Sequence, residues 1–117
     1  MSLDFAIVNK ADYILVRLNG ALTLGPQLAR FGRQVGALLS SQKGGGLLLD
    51  LGGVTEIDST GLGELVILYT TSGEAGCSLC LLQPNARVLK LLEMTRLSGL
   101  FPHFSDEEAA RKHLQKT

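Results

Sequence analysis

Tryptophan is absent from the 117 residues, and tyrosine and phenylalanine bring the aromatic share to only 5%. So few rings exclude the stacking platforms that hold single-stranded nucleic acid. An excess of one charge is missing too. Eleven Lys+Arg balance 11 Asp+Glu, so nothing pulls the whole chain toward nucleic acid or anionic lipid. No apolar run approaches the roughly 18 residues of a membrane span, so direct membrane insertion is not expected. The start, Met1-Ser2-Leu3-Asp4-Phe5-Ala6, has an acid near its front and a very short apolar stretch, unlike a secretory signal. A cytoplasmic protein is the expectation. Cysteine is confined to Cys77 and Cys80, which in that compartment read as free thiols. Histidine is confined to His103 and His113, and neither stands at a metal-ligand spacing from the cysteines. No metal site is therefore expected.

What is present is a globular composition. Hydrophobic residues make up 45%, and the length suits one domain over residues 1–117 with a core of its own. Phe5 to Val8 reads as a short strand, and Ala11-Asp12 breaks it. From Tyr13 to Asn19 residues alternate: Ile14, Val16 and Leu18 share an aliphatic face, opposite Tyr13, Leu15, Arg17 and Asn19. A hairpin through Asn9-Lys10-Ala11-Asp12 would pair the two strands. Gly20 is expected to end the second.

Thr23-Leu24-Gly25-Pro26 reads as a loop into a helix over Gln27–Ser41, with Leu28, Phe31, Val35, Leu38 and Leu39 at helical spacing. Gln42-Lys43-Gly44-Gly45 is a polar stop. Leu47 to Leu51, nearly all apolar, reads as a central strand covered on both faces. Gly52 to Ile57 reads as a connection. Asp58 or Ser59 then caps a helix whose apolar positions are Leu62, Leu65, Val66 and Tyr69, fraying at Ser72.

Cys77 to Leu82 is another short strand. Pro84-Asn85 opens a helix lined by Val88, Leu91, Leu92 and Thr95, and Ser98-Gly99 ends it. Phe101 to Phe104 can hold a last short strand. Ser105-Asp106-Glu107-Glu108 has the pattern of a capping box for a final helix to about Leu114. The order β β α β α β α β α implies an α/β fold: a mixed sheet of four to five strands with about four helices packed on it.

The common catalytic constellations are missing. Ile57 stands where a G-x-S-x-G elbow around Ser59 needs glycine. Leucines follow Gly44-Gly45-Gly46, so there is no P-loop. Gly61-Leu62-Gly63 opens a helix after a strand, but Val66 replaces the third glycine of a dinucleotide fingerprint, and no cofactor is expected. Cys77-x-x-Cys80 sits at a strand entry with no helix N-terminus to lower a thiol pKa, so it reads as core filler.

The segment that asks for more is Asp50 through Gly63. It places Asp58, two hydroxyls and two glycines at a helix start. The plain reading is an N-cap plus glycines that let the helix approach the sheet. The functional reading uses the unpaired N–H groups and positive dipole end, which suit a phosphate added to Ser59. Such a phosphate brings about −1.5 to −2 charges beside Asp58 and Glu56. Leu62 and nearby apolar side chains would complete a docking patch.

Leu49-Asp50-Leu51, Val54 and then Ile57-Asp58-Ser59-Thr60-Gly61-Leu62-Gly63 resemble the signature of the STAS family, in its anti-sigma-factor antagonist branch. Leu18-Asn19-Gly20 and Leu91 to Leu97 resemble further parts of that family, and the element order agrees over nearly the whole chain. The resemblance implies a non-enzymatic protein that binds an anti-sigma factor, itself a serine kinase, and so releases sigma factor. Ser59 would be the phosphoacceptor, Asp58 would cap the helix and position the loop, and a serine phosphatase would reset the switch. Asp58, Ser59, Thr60, Gly61, Leu62, Gly63 and Thr23 would form the partner surface. One departure stands out. The family commonly carries Gly-Glu-Leu-Asp after the second strand, whereas Gly20-Ala21-Leu22-Thr23 here lacks both acids. That departure leaves room for a different role, as a non-switching STAS scaffold in a signalling or membrane transport complex.

Overall fold

The structure is a computed structural model that describes residues 2–41 and 45–115. Its elements are β1 (Leu3–Asn9), β2 (Tyr13–Leu22), α1 (Pro26–Ser41), β3 (Gly46–Ile57), α2 (Ser59–Glu74), β4 (Ser78–Leu82), α3 (Ala86–Met94), β5 (His103–Phe104) and α4 (Glu107–Gln115). The five strands lie in chain order, β1-β2-β3-β4-β5. The first pair is the expected antiparallel hairpin and the other pairs are parallel. The fold class is thus as read from the sequence.

The alternation in β2 decides how the layers form. Ile14, Val16, Leu18 and Leu22 face a large core with Leu47, Leu49 and Leu51 of β3, closed by Leu28, Phe31, Val35 and Leu39 of α1, Leu62, Leu65 and Leu68 of α2, and Val88 and Leu92 of α3. Tyr13, Leu15, Leu48, Cys80 and Leu82 face the other way, against Ala110 and Leu114 of α4. Three helices cover one face and one covers the other. Central strands buried on both faces need the near-continuous apolar runs seen in β3 and β4. Cys77 and Cys80 are buried, one in each cluster, so they stand on opposite sides of the sheet. Burial raises the Cys80 thiol to about 11, the reverse of a redox thiol.

Several sequence-based boundaries move. Gly20 does not end β2. With φ +95 it lets the strand continue to Leu22, and a Cβ there would stand 2.4 Å from the Ser2 carbonyl oxygen. Gly52 to Ile57 is not a connection but the second half of β3. Two register shifts give β3 one residue more than β2 between the pairs Arg17–Asp50 and Asn19–Gly53, and again between Gly20–Val54 and Ala21–Glu56. These are bulges, where glycine serves the strand instead of a turn. The Asp50 carboxylate accepts the Gly52 N–H at 2.9 Å at the first, and a Cβ on Gly53 would meet the Asn19 side chain at 1.8 Å.

Leu68 and Ser72, not Val66 and Tyr69, continue the buried stripe of α2, which runs on to Glu74. Thr95 is the exposed C-cap of α3, and the expected last strand shortens to His103–Phe104. The α4 cap falls on Asp106, which accepts the Ala109 N–H at 3.0 Å, so Ser105 is not the cap. Glu108 instead pairs with Arg111. The polar stop at 42–44 lies outside the described residues.

α4 is tied to the hairpin by polar contacts. The Tyr13 hydroxyl donates to Glu107 at 2.5 Å, and Arg111 lies 3.7 Å from Asp12. Burial, then the Glu107 carboxylate, raises the Tyr13 phenol to about 12. A phenol raised on folding contributes stability below its unfolded value of about 10 and loses it as pH climbs through about 12. Tyr13→Phe is expected to lower unfolding free energy by about 1 kcal/mol in chemical denaturation at pH 7.

Candidate functional site at the start of α2

The parallel strands β2 and β3 end side by side, and each feeds a helix. The N-termini of α1 and α2 therefore lie next to each other. Asp58 joins them. Its backbone is extended (φ −119, ψ −177), and its Oδ1 accepts the Gly61 N–H at 2.8 Å, which makes it the N-cap of α2. Its Oδ2 accepts the Leu24 N–H, in the loop before α1, at 3.0 Å. Its own N–H donates to the Leu22 carbonyl at 3.4 Å, and its carbonyl accepts the Leu62 N–H at 2.9 Å. These N–H groups favour the ionised carboxylate, so the bond from Gly61, then the one from Leu24, hold the Asp58 carboxyl below its usual range.

Gly61 faces the same Leu22 carbonyl. A Cβ on Gly61 would stand 1.9 Å from that oxygen and 2.8 Å from its carbon, both backbone atoms that cannot turn away. A Cβ on Gly63 would meet nothing within 4 Å. The two glycines of the motif thus differ. Gly61 lets the helix touch the end of β2, whereas Gly63 has open space above it.

Ser59 and Thr60, the first residues of α2, are both exposed. Among the described residues no hydrogen bond holds the Ser59 hydroxyl. Thr23 is half-buried beside this junction, on the rim of a small cavity of about 180 Å³ that it shares with Ser2, Leu3 and Leu28. Asp58, Ser59, Thr60, Gly61 and Thr23 therefore gather in one place. Leu62 does not join them on the surface: it is 5% exposed and belongs to the core of the three-helix face. The large apolar side chain that does stand out here is Leu24, 77% exposed, which the sequence reading passed over. A lone leucine between Thr23 and Gly25-Pro26 in a polar turn was its only signal. Ala21 is buried at 4%, so the strand end lacks acids and presents no charge in their place.

One turn further, the half-buried Glu64 carboxylate lies over Gly32 of α1, where a Cβ would stand 2.6 Å from it, and burial raises its pKa. Among the described residues no group of three or more His, Cys, Asp or Glu side chains is placed to hold a metal ion. None of the helices there is long and apolar enough to cross a membrane.

The site is thus a capped, serine-bearing helix start at the ends of two parallel strands of an α/β sheet. The chain belongs to the STAS domain family, whose model matches residues 5–110. No curated protein matches it in sequence. Solved structures with the same fold include a candidate anti-sigma factor antagonist from Thermotoga maritima, with TM-score 0.84, 22% identity, and coverage of 95% of this chain and 94% of that one. Another is an anti-sigma factor antagonist from Mycobacterium paratuberculosis, with TM-score 0.80, 17% identity, and coverage of 97% and 95%. A third is the unphosphorylated form of the antagonist SpoIIAA from Bacillus, with TM-score 0.77, 17% identity, and coverage of 93% and 95%.

Gly61→Ala is expected to cost about 3 kcal/mol of stability, whereas Gly63→Ala is neutral or stabilising by up to about 1 kcal/mol, measured by denaturant titration. Asp58→Ala is expected to cost about 1 kcal/mol at pH 7. Because the folded pKa of Asp58 lies below its unfolded value of about 3.9, that contribution is present above about pH 4 and is lost as pH falls through the folded value. Wild type and Asp58→Ala should therefore converge in stability on acidification.

Proposed function

We propose that this chain is a cytoplasmic anti-sigma-factor antagonist. It binds an anti-sigma factor that is a serine kinase, sigma factor is released, and phosphorylation of Ser59 ends the binding. The observation that carries this reading is an exposed serine with an uncommitted hydroxyl on the first turn of α2, held out by a cap whose own oxygens are already engaged. The same bonds hold the Asp58 carboxyl below its usual range and make it a weak base for Ser59, which favours a substrate of a kinase over an enzyme. The kinase supplies ATP. The Ser59 Oγ takes the γ-phosphoryl group, ADP leaves, and the hydroxyl proton passes to a base on the kinase. A serine phosphatase returns the hydroxyl by hydrolysis.

A phosphate at this position is tolerated by the fold, since the dipole end and unpaired N–H groups of the first turn offset part of its charge. It is not tolerated by a closely docked partner, because about −1.5 to −2 charges appear on a surface that had none at Ser59. Thr60, Gly63 and Thr23 belong to the same contact surface, with Leu24 as its apolar element.

One observation favours a second reading. The buried Ala21 and uncharged Thr23 leave this strand end without the acids common in the antagonist branch. A STAS scaffold in a signalling or membrane transport complex would bind its partner regardless of Ser59.

The two readings separate in a binding titration against the partner kinase. Ser59→Ala is expected to bind as wild type does and to accept no phosphate. Ser59→Asp is expected to bind at least tenfold more weakly with its thermal midpoint within about 2 °C of wild type. Equal binding by wild type and Ser59→Asp would favour the scaffold. A Ser59→Asp chain that unfolds would make the residue structural.

A further inference from the structure

Asp58 does two jobs with two oxygens. Oδ1 caps α2 through Gly61, and Oδ2 reaches across 34 residues of sequence to the Leu24 N–H. The first bond sits in a packed setting: Gly61 is buried against the Leu22 carbonyl, and the Leu62 N–H closes the first helical turn on the Asp58 carbonyl. The second sits in an exposed setting and pins the backbone of Leu24, the most exposed large apolar side chain among the described residues. That loop, Thr23-Leu24-Gly25, has no charged residue of its own. The Leu24 backbone is bonded instead to a neighbouring carboxylate.

We propose that Asp58 is a positioning residue that couples the state of Ser59 to the placement of Leu24: a phosphate on Ser59 weakens the Asp58–Leu24 bond and frees the loop, while the Gly61 cap persists. The inference rests on the reading of Ser59 as phosphoacceptor. A phosphate on the adjacent residue repels the Asp58 carboxylate and competes for the N–H groups of the first turn. Of the two bonds, the one without packed support yields. Phosphorylation then acts on a partner twice, by adding charge at Ser59 and by withdrawing an ordered apolar contact at Leu24.

The test is site-resolved amide hydrogen exchange on the full chain without any partner. Three forms are compared: wild type, protein carrying phosphoserine at position 59 by co-translational incorporation, and Asp58→Asn. An asparagine caps a helix as well as aspartate does, but only one of its two side-chain polar atoms accepts a hydrogen bond. In Asp58→Asn the Gly61 amide should keep its protection while the Leu24 amide exchanges about tenfold faster or more. The phosphoprotein should show the same split. General loosening would move both amides together, so the Leu24-to-Gly61 ratio is the readout. If Asp58→Asn fails to fold, the ratio in the phosphoprotein decides by itself. Unchanged Leu24 protection in the phosphoprotein overturns the coupling and leaves the antagonist reading standing. Fast Leu24 exchange with partner binding indifferent to the phosphate keeps the coupling and overturns the antagonist reading.

Discussion

The constraint on which the site depends is the approach of Gly61 to the backbone carbonyl of Leu22. A backbone oxygen of β2 occupies the space where any other residue would carry its Cβ. The same carbonyl receives the Asp58 N–H. One peptide group at the end of one strand therefore fixes where the next helix begins. From that contact follow the height of α2 above the sheet, the burial of Leu62 and Leu65, and the outward position of Ser59. The contact also requires β2 to run as far as Leu22, which the positive φ at Gly20 permits. The two extra residues in β3 bring Ile57 level with Leu22, so the chain can turn into α2 beside it.

Much of this fold is legible in the sequence because its strongest signals are periodic. The aliphatic face of Tyr13–Asn19, the unbroken leucines of 47–51 and the apolar stripe of Leu28, Phe31, Val35 and Leu39 correspond to surfaces that the core closes on. What misleads is glycine. Gly20, Gly52 and Gly53 read as the ends of strands, since glycine most often marks a turn. Here each stands within a strand, at a bulge or against another chain segment, and that choice depends on a neighbour many residues away. Val66 and Tyr69 mislead differently. Residues 65–69 of α2 are apolar without a break, so hydrophobic spacing alone does not single out its inner side, and Leu68 and Ser72 join Leu62 and Leu65 there.

The site divides along the same line. Asp58 as cap, Ser59 and Thr60 at a helix start and the close approach of Gly61 are local features, and the motif shows them. Leu62 and Leu24 are not local. Whether a leucine beside a motif faces the core or the solvent depends on helix phase, which Gly61 sets by docking on β2. The bond from Leu24 to Asp58 joins two loops that meet only because β2 and β3 are parallel neighbours. A tertiary contact of that kind leaves no periodic trace. It is nonetheless what makes the loop before α1 and the start of α2 one surface.

In the proposed function this surface is a phosphorylation switch centred on one serine. Mass spectrometry of the protein isolated from its own cells, recovered with whatever it binds, tests for that switch. Phosphate on Ser59 is expected in the unbound fraction and an unmodified Ser59 in the fraction bound to a serine kinase. A partner bound equally by both forms, or a Ser59 that never carries phosphate, would contradict it.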